Sequence, residues 1–258
     1  MVTGAAADEA VAIARARPAL AVGLHLVLVR GRAASPPREV PSLVGRAGAF
    51  SDSPVRAGLA YQFSRRARAE LRREIRAQLE EFRRTGLSLS HVDGHLHLHV
   101  HPVVLAILRD LASEFSIPAV RLPSEELAAT LALDRSGVGT KFLHAVIFGL
   151  LRRHGERRMR EGGIAFADRV YGLLETGRIT EEYLAGLLPK IRAARVELYC
   201  HPAAEIPGEP RNGPPGSGPA ELAALVSPKV KVAVEANGFR LTTPAGLFDD
   251  TRTPALAR

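Results

Sequence analysis

The segment His91–Pro102, with the sequence HVDGHLHLHVHP, carries five of the nine histidines of this 258-residue chain. These histidines and Asp93 occupy alternate positions, which a β-strand directs to one face. Upstream, Gly86 ends a helical pattern and Leu87–Ser90 has the pattern of a short strand, so the histidines begin where that strand ends. Ligands bind at such strand ends in α/β sheets and barrels. The segment therefore predicts an α/β fold with a metal site, against the alternative of a solvated or adventitiously metal-binding His-rich turn.

Size and composition indicate one folded domain. A chain of 258 residues with 46% hydrophobic content can bury a single core, and we predict one domain over residues 1–258. The single cysteine, Cys200, excludes an internal disulfide framework and a CxxC zinc cluster. The sequence as printed shows no signal-peptide pattern and no apolar run as long as a membrane span. We therefore expect a cytoplasmic location.

The charge of the chain is strongly positive, with 35 Lys and Arg against 27 Asp and Glu and a net charge of +8. Such a balance suits nucleic acid or an anionic membrane surface. Within residues 65–84, however, the arginines are interleaved with Glu70, Glu74, Glu80 and Glu81, which is typical of a solvated helix with ion pairs. The chain has no Trp and 5% aromatic residues, so it lacks a platform for stacking bases. We expect no nucleic-acid partner, and transient contact with a membrane surface stays open.

The first half of the chain alternates strand and helix patterns. In chain order we predict a helix over Asp8–Arg17, a strand over Leu20–Leu28, a helix with a buried stripe at Leu71, Ile75, Leu79 and Phe82, and the histidine strand. A helix over Val103–Phe115, with Pro102 suited to its first turn, and a strand over Ala119–Pro123 follow. The order β-α-β-α-β favours parallel strands with helical crossovers. Two loops rich in Gly and Pro, Gly31–Pro54 and Pro207–Pro219, interrupt the pattern.

The second half is less regular. We expect an irregular segment over Ser124–Gly163, in which the apolar run Phe142–Leu151 is either a lipid-facing segment or a plain buried helix. Thr180 has the character of a helix N-cap, and a strand is predicted over Val196–Pro202. Ser227 precedes a proline and favours a further helix over an alternating strand.

Histidines lie at or near the ends of three predicted strands: His25, the histidine segment, and His201. Parallel strands bring their carboxyl ends to one rim of a sheet or barrel. Any one buried histidine is more often a hydrogen-bonded core residue, but three at matching positions favour a shared site. Imidazole ligands suit zinc or another divalent ion, and such an ion would have an open coordination position for a water molecule. A metal-bound water is a nucleophile near neutral pH. The pattern thus predicts hydrolytic chemistry.

Five short motifs are spread over nearly the whole chain: Gly23–Leu26 (GLHL), His91–His95 (HVDGH), Val120–Pro123 (VRLP), Phe166–Asp168 (FAD) with Gly172, and Tyr199–Ala203 (YCHPA). Together they resemble the YdjC/ChbG-like carbohydrate deacetylases, most closely the branch associated with hopanoid biosynthesis. The resemblance implies an irregular (β/α) barrel and a hydrolase that removes an N-acetyl group from a sugar with the help of a divalent metal ion, zinc or magnesium.

The resemblance also implies particular roles. His25 and His95 fall on the two metal-binding histidines of the family, and His201 falls on its general acid or transition-state stabiliser. In the implied reaction, the metal polarises the N-acetyl carbonyl and a water, an aspartate removes a proton, and His201 protonates the leaving amine. The products are acetate and a free amino sugar.

Four neighbouring residues are expected to support the site. Asp93 is better placed for a hydrogen bond to a ligand than for a direct bond to the metal. His97 and His99 either contact substrate, orient ligands or have a structural role. Arg121 either binds a sugar hydroxyl or pairs with Asp168.

The chain departs from the family pattern at its beginning. Family members open with a strand that ends in Asp-Asp-Phe-Gly and supplies the metal-binding aspartate and the catalytic base, and this chain has no such motif. We expect that the printed start lies downstream of the true one or that the first strand has been truncated. The alternative is a degenerate member without activity.

The implied substrate is an N-acetylglucosaminyl hopanoid, a glycolipid, and the protein is then expected to work at the periphery of the inner membrane. Two alternatives stay open: a deacetylase of soluble N-acetylated oligosaccharides, and a non-catalytic relic that binds metal or sugar. The oligomeric state, monomer or homodimer, is also open.

Overall fold

The structure is a computed structural model that describes residues 1–204 and 214–248. The chain divides into two compact units, each assembled from separated segments. The first unit comprises Met1–Leu122, Leu151–Phe166 and the described residues from Thr242, and the second comprises Pro123–Leu150 and Ala167–Leu241. The single domain over residues 1–258 stays a prediction. Residues 207–213 of the predicted loop Pro207–Pro219 lie outside the described part of the chain.

The first unit is built on one parallel strand pair. Its elements are α1 Ala7–Arg15, β1 Val22–Leu26, α2 Pro54–Phe63, α3 Arg65–Arg84, β2 Leu89–Gly94, a 3-10 helix His95–Val100, α4 Pro102–Phe115 and, near the C-terminus, a single turn Pro244–Leu247. Strands β1 and β2 pair in parallel, with His25 opposite Asp93. The predicted helices and the two paired strands of this half are confirmed in kind and order, although β1 is shorter than the apolar run that predicted it.

The core of the first unit lies between the strand pair and helices α3 and α4. The predicted stripe of α3 is buried, and β1 contributes Leu24 and Leu26, which are also buried. These side chains recur at helical spacing on α3 and at alternate positions on β1, so each element directs its apolar residues to one face. The predicted stripe is confirmed: Leu71, Ile75, Leu79 and Phe82.

Helix α3 also holds the long loop that follows β1. The carboxylate of Glu74, which is fully buried, accepts hydrogen bonds from the amides of Ala34 and Ser35 at 2.8 and 2.9 Å. Glu70 accepts from the amide and hydroxyl of Ser42. The prediction of a solvated helix is therefore wrong for these two glutamates, because they are buried and accept hydrogen bonds from backbone donors of the loop.

The second unit contains a second parallel pair. Its elements are α5 Leu127–Leu131, the first part of α6 Val138–Glu161, β3 Arg169–Tyr171, α7 Glu181–Leu187, a 3-10 turn Leu188–Lys190, β4 Val196–Leu198, α8 Ser217–Val226 and α9 Pro228–Ala236. Strands β3 and β4 pair in parallel. The irregular segment predicted over Ser124–Gly163 is wrong, because most of it forms the 24-residue helix α6. Scattered glycines masked its helical pattern, and no proline interrupts it.

Helices and parallel strands confirm the mixed α/β class. Single parallel bridges join Val92 to Val120 and Ala119 to Ala165, so the strand predicted over Ala119–Pro123 is reduced to isolated pairings. Within residues 1–204 and 214–248 the named strands form two two-stranded sheets and not a closed barrel. Among the residues that the structure describes, none of the helices combines the length and hydropathy needed to cross a bilayer.

Candidate active site

The histidine segment leaves the strand earlier than its alternating pattern predicts. Strand β2 ends at Gly94, and His95–Val100 forms a 3-10 helix in which Leu96 and His97 have φ angles of 51° and 55°. Left-handed backbone at two successive residues reverses the chain and breaks the two-residue period. The prediction that the histidines share one strand face is therefore wrong, and each imidazole has its own environment.

Gly94 allows this turn because another histidine packs directly against its backbone. A Cβ atom at Gly94 would lie 2.9 Å from Cβ of His99. The Nε2 atom of His99 lies 2.8 Å from the carbonyl oxygen of Arg121, to which it donates, and the ring is fully buried. His99 thus fixes the 3-10 turn against the segment that contains Arg121, and its role in this contact is structural.

A hydrogen-bonded network centred on a buried carboxylate forms where β1 and β2 lie side by side. Nδ1 of His25 lies 2.8 Å from one carboxylate oxygen of Asp93, and the guanidinium of Arg121 donates to the other oxygen. Burial would raise the pKa of the Asp93 carboxyl, but the hydrogen bond from His25 and the charge of Arg121 hold that pKa well below its usual range. The ionised carboxylate accepts the hydrogen bond from Nδ1 of His25, so Nε2 is the nitrogen of this ring that could bind a metal.

His95 lies beside His25. Their ring centroids are 5.9 Å apart with an angle of 71° between the planes. Two imidazoles bound to one zinc ion at about 2 Å have ring centroids roughly 5–6 Å apart, so this pair fits a shared ion. Within the described residues, however, no group of three or more His, Cys, Asp or Glu side chains is arranged to hold a metal. The residues described thus supply two suitable ligands and not a complete set.

Two uncharged imidazole rings, those of His97 and His99, lie near the pair His25 and His95. Their ring centroids are 6.0 Å apart. Burial lowers the pKa of His99 to about 4, and burial together with His99 and Arg121 places the pKa of His97 well below its ordinary value. Both rings are therefore neutral near pH 7. Whether either contacts substrate stays a prediction.

The two remaining histidines of the segment have structural contacts. His91 packs on Gly23, where a Cβ atom would lie 2.4 Å from its ring, and its Nδ1 is 2.7 Å from the hydroxyl of Ser90. This contact explains why glycine stands at the start of the GLHL motif. His101 caps α4 by accepting a hydrogen bond from the amide of Val103 at 3.3 Å.

His201 lies in the second unit, three residues beyond the end of β4. Its amide donates to the carboxylate of Glu221, a fully buried residue of α8, and its ring meets Tyr199 edge-on with centroids 5.7 Å apart. The backbone of the YCHPA motif is thus fixed by a glutamate that the sequence analysis missed, since nothing in the pattern of α8 distinguishes Glu221. The catalytic role of His201 stays a prediction.

Two further motif residues have defined partners in the second unit. The carboxylate of Asp168 binds the guanidinium and the amide of Arg195, both at 3.0 Å. Gly172 has a φ angle of 112° and donates its amide to the buried Glu125 at 2.8 Å. A Cβ atom there would lie 2.1 Å from the carbonyl oxygen of Tyr199, so this position requires glycine.

Comparison with known proteins places the chain in a family. A family model described as YdjC-like protein matches residues 1–236. The chain belongs to this YdjC-like family. A carbohydrate deacetylase from Mus musculus is 31% identical over 93% of this chain and 82% of its own length, and one from Homo sapiens is 29% identical over 93% and 79%.

Bacterial relatives match over a shorter region. A carbohydrate deacetylase from Brevibacillus brevis is 42% identical over 45% of this chain and 43% of its own length. The first bacterial relatives are matched over 43%, 49% and 42% of their lengths, so the aligned part spans less than half of each. A crystal structure from Enterococcus faecalis, described as a candidate cellobiose-phosphate cleavage protein, superposes with a TM-score of 0.72 over 96% of this chain and 85% of its own, at 23% identity. That likeness establishes a shared fold.

Proposed function

We propose that this protein is a carbohydrate deacetylase that hydrolyses the N-acetyl group of an amino sugar. The observation that carries this proposal is the pair His25 and His95 at the ends of two parallel strands, with His25 oriented by the buried carboxylate of Asp93. Membership of the YdjC-like family, whose named relatives include carbohydrate deacetylases, supports the same chemistry. The motif resemblance supports an irregular (β/α) barrel, and the TM-score of 0.72 supports a fold shared with the Enterococcus faecalis protein.

We propose a divalent metal ion, zinc or magnesium, as cofactor, with His25 and His95 as two of its ligands. A bound ion would polarise the amide carbonyl and acidify a water molecule. The hydrogen bond from His25 to Asp93 is the contact that commonly fixes the tautomer of a metal-binding histidine. Because Asp93 is already engaged by His25 and Arg121, the remaining ligand is proposed to be a carboxylate outside this set.

The other histidines have distinct proposed tasks. The hydrolysis adds water across the amide: the C–N bond breaks, the carbonyl carbon gains the water oxygen, and the amine nitrogen gains a proton. His201 is proposed to donate that proton, which requires an imidazole that is protonated when the amine leaves. His97 and His99 are neutral and provide a wall that does not repel a cationic amine product.

We propose an N-acetylglucosaminyl hopanoid as the substrate, with soluble N-acetylated oligosaccharides as the second candidate. The motif resemblance supports the glycolipid, and so does the exposed apolar part of α6. The relatives described as carbohydrate deacetylases support an N-acetylated sugar, whether it is part of a glycolipid or of a soluble oligosaccharide.

The proposal is tested by acetate release from an N-acetylglucosaminyl glycolipid and from N,N′-diacetylchitobiose. The protein is purified from its native source, so that any residues encoded upstream of Met1 are included, and is assayed after chelation and after zinc or magnesium is restored. Activity is expected in the metal-restored sample, and His25→Ala and His95→Ala are each expected to lower it at least about a hundredfold, since each removes a ligand.

His144→Ala is the matched control, because His144 is exposed on α6 outside the histidine pair. Full activity in His95→Ala, or activity that survives chelation, would refute the proposed site. Binding of sugar or metal without acetate release would support the non-catalytic relic instead.

A further inference from the structure

One helix presents its apolar residues to solvent. In the first part of α6, six large apolar side chains are exposed within the span of residues 138–150, with Phe142 at 59%, Leu143 at 56% and Leu150 at 61% exposure. We call this surface the apolar face of α6: Val138, Phe142, Leu143, Val146, Ile147 and Leu150. The sequence-based alternative of a plain buried helix is wrong, because this run is helical and exposed.

The polarity of this helix is the reverse of that of an ordinary surface helix. At 100° per residue, the apolar face covers about half of the circumference. On the other side, the ammonium of Lys141 is buried and bound to Asp134 at 2.8 Å and to Glu175. The buried ion pairs hold the helix so that its apolar side points outward. An apolar surface this continuous marks an interaction site.

The charges around the apolar face decide which partner it fits. Between Arg135 and Gly155 the sequence contains no acidic residue, and the exposed cations Arg135 and Arg153 lie just beyond either end of the face. The nearest carboxylates, Asp134 and Glu156, are already paired with Lys141 and Arg152. A second copy of the chain packed on this face would therefore bring arginines together without an unengaged carboxylate on the helix to neutralise them, in either relative direction. Anionic lipid headgroups would pair with both arginines while the acyl region receives the apolar side chains.

We propose that the apolar face of α6 is a membrane-docking surface that binds the interface of an anionic bilayer. The helix would lie in the plane of the interface, with Phe142, Leu143 and Leu150 below the headgroups. Arg135 and Arg153 would lie at headgroup level. This docking is independent of amide hydrolysis, so its failure and the failure of the deacetylase proposal are distinguishable.

The test is flotation of the full chain with phosphatidylcholine vesicles that contain phosphatidylglycerol, and with pure phosphatidylcholine vesicles. The wild-type protein is expected to float with the anionic vesicles. Leu143→Glu is expected to weaken this binding at least about tenfold, since it replaces an apolar anchor with an anion. The control Leu59→Glu changes a leucine of equal exposure, 55%, on α2 and is expected to bind like the wild type.

A second pair of variants tests the electrostatic part. Arg135→Gln and Arg153→Gln are each expected to weaken binding about fivefold, because an arginine near an anionic surface contributes about 1 kcal/mol. Sedimentation velocity without lipid tests whether a second copy of the chain covers the apolar face of α6 instead. Three results would overturn the proposal. The wild-type protein could fail to bind the anionic vesicles, or Leu59→Glu could lose as much binding as Leu143→Glu. The third is a wild-type dimer that Leu143→Glu converts to a monomer.

Discussion

Asp93 is the residue on which the candidate site depends most directly. It accepts hydrogen bonds from His25 and Arg121, and it is buried. A carboxylate in this position fixes the tautomer of the imidazole it binds and the orientation of the ring. Asp93 therefore acts on the proposed metal through His25, as a positioning residue.

Replacing Asp93 with Asn is expected to lower zinc affinity about 10- to 100-fold, the usual cost of losing such a hydrogen-bonded carboxylate. Isothermal titration calorimetry of the chelated protein measures this loss. Asp168→Asn is the control, because Asp168 is also bound to an arginine but belongs to the second unit. Equal zinc affinity in Asp93→Asn and the wild type would contradict the proposed ligand role of His25.

His99 gives the protein a predictable dependence of stability on pH. The folded pKa of about 4 lies below the ordinary value of 6.5, so the unfolded chain binds a proton that the folded chain excludes. The free energy of unfolding therefore falls as the pH falls from about 6.5 towards 4, because protons favour the unfolded chain in this range. About 2 kcal/mol is lost between pH 6.5 and pH 5.

The measurement is urea unfolding of the wild type and His99→Gln at pH 7 and pH 5. The stability difference between the two proteins is expected to shrink by about 2 kcal/mol at the lower pH, since glutamine carries no titrating group. His144→Gln serves as the exposed-histidine control. If the stability of the wild type and of His99→Gln changed equally with pH, protonation of His99 would not contribute to the pH dependence of stability.

Helix α3 stabilises the loop after β1 through buried carboxylates. Glu74→Ala is expected to destabilise the protein by roughly 2–4 kcal/mol, because it leaves the amides of Ala34 and the buried Ser35 without their acceptor. Glu81→Ala on the same helix removes an exposed pair with Arg84 and is expected to cost less than about 1 kcal/mol.

Thermal unfolding and limited trypsin digestion of the loop measure the difference between the two variants. Faster cleavage at Arg38 or Arg46 is expected in Glu74→Ala, since both arginines lie in the loop that Glu74 anchors. Equal stability of the two variants would mean that solvent replaces the carboxylate of Glu74.

Elements with a local signal were predictable from the sequence. The four apolar residues of α3 recur at helical spacing, Pro102 stands at the first turn of α4, and Thr180 and Ser227 cap α7 and α9 with their side chains as predicted. Each of these features depends on neighbouring residues alone. Strand β1 was likewise indicated by its apolar run, and β2 by the short strand pattern of Leu87–Ser90.

Features that depend on distant contacts were not predictable. Alternation suggested a strand through His101, but the packing of His99 on Gly94 places left-handed backbone at Leu96 and His97. The glutamates of α3 bind a loop 28 to 40 residues away in sequence, and Glu221 of α8 accepts a hydrogen bond from the amide of His201. Within the site, the proximity of His25 and His95 was predicted from strand ends, whereas the partner of Arg121 was not.

The two compact units are linked in a way that predicts shared unfolding. Leu151–Phe166 belongs to the first unit, where Met159 is fully buried, yet it joins the rest of that unit only through residues 123–150 and 167–241. If the second unit unfolded alone, these would become loops of about 30 and about 75 residues, and closing each costs of the order of 3–4 kcal/mol. That cost is a large part of a typical folding free energy.

Gly172→Ala provides the perturbation, since a Cβ atom would collide with the carbonyl of Tyr199 and the φ angle favours glycine. Hydrogen exchange measured by mass spectrometry is expected to show faster exchange in the second unit of the variant. Because the first unit loses support for Leu151–Phe166, faster exchange is also expected in peptides of α3 and α4. Unchanged protection of those peptides would divide the chain into two independent domains and contradict the single domain over residues 1–258.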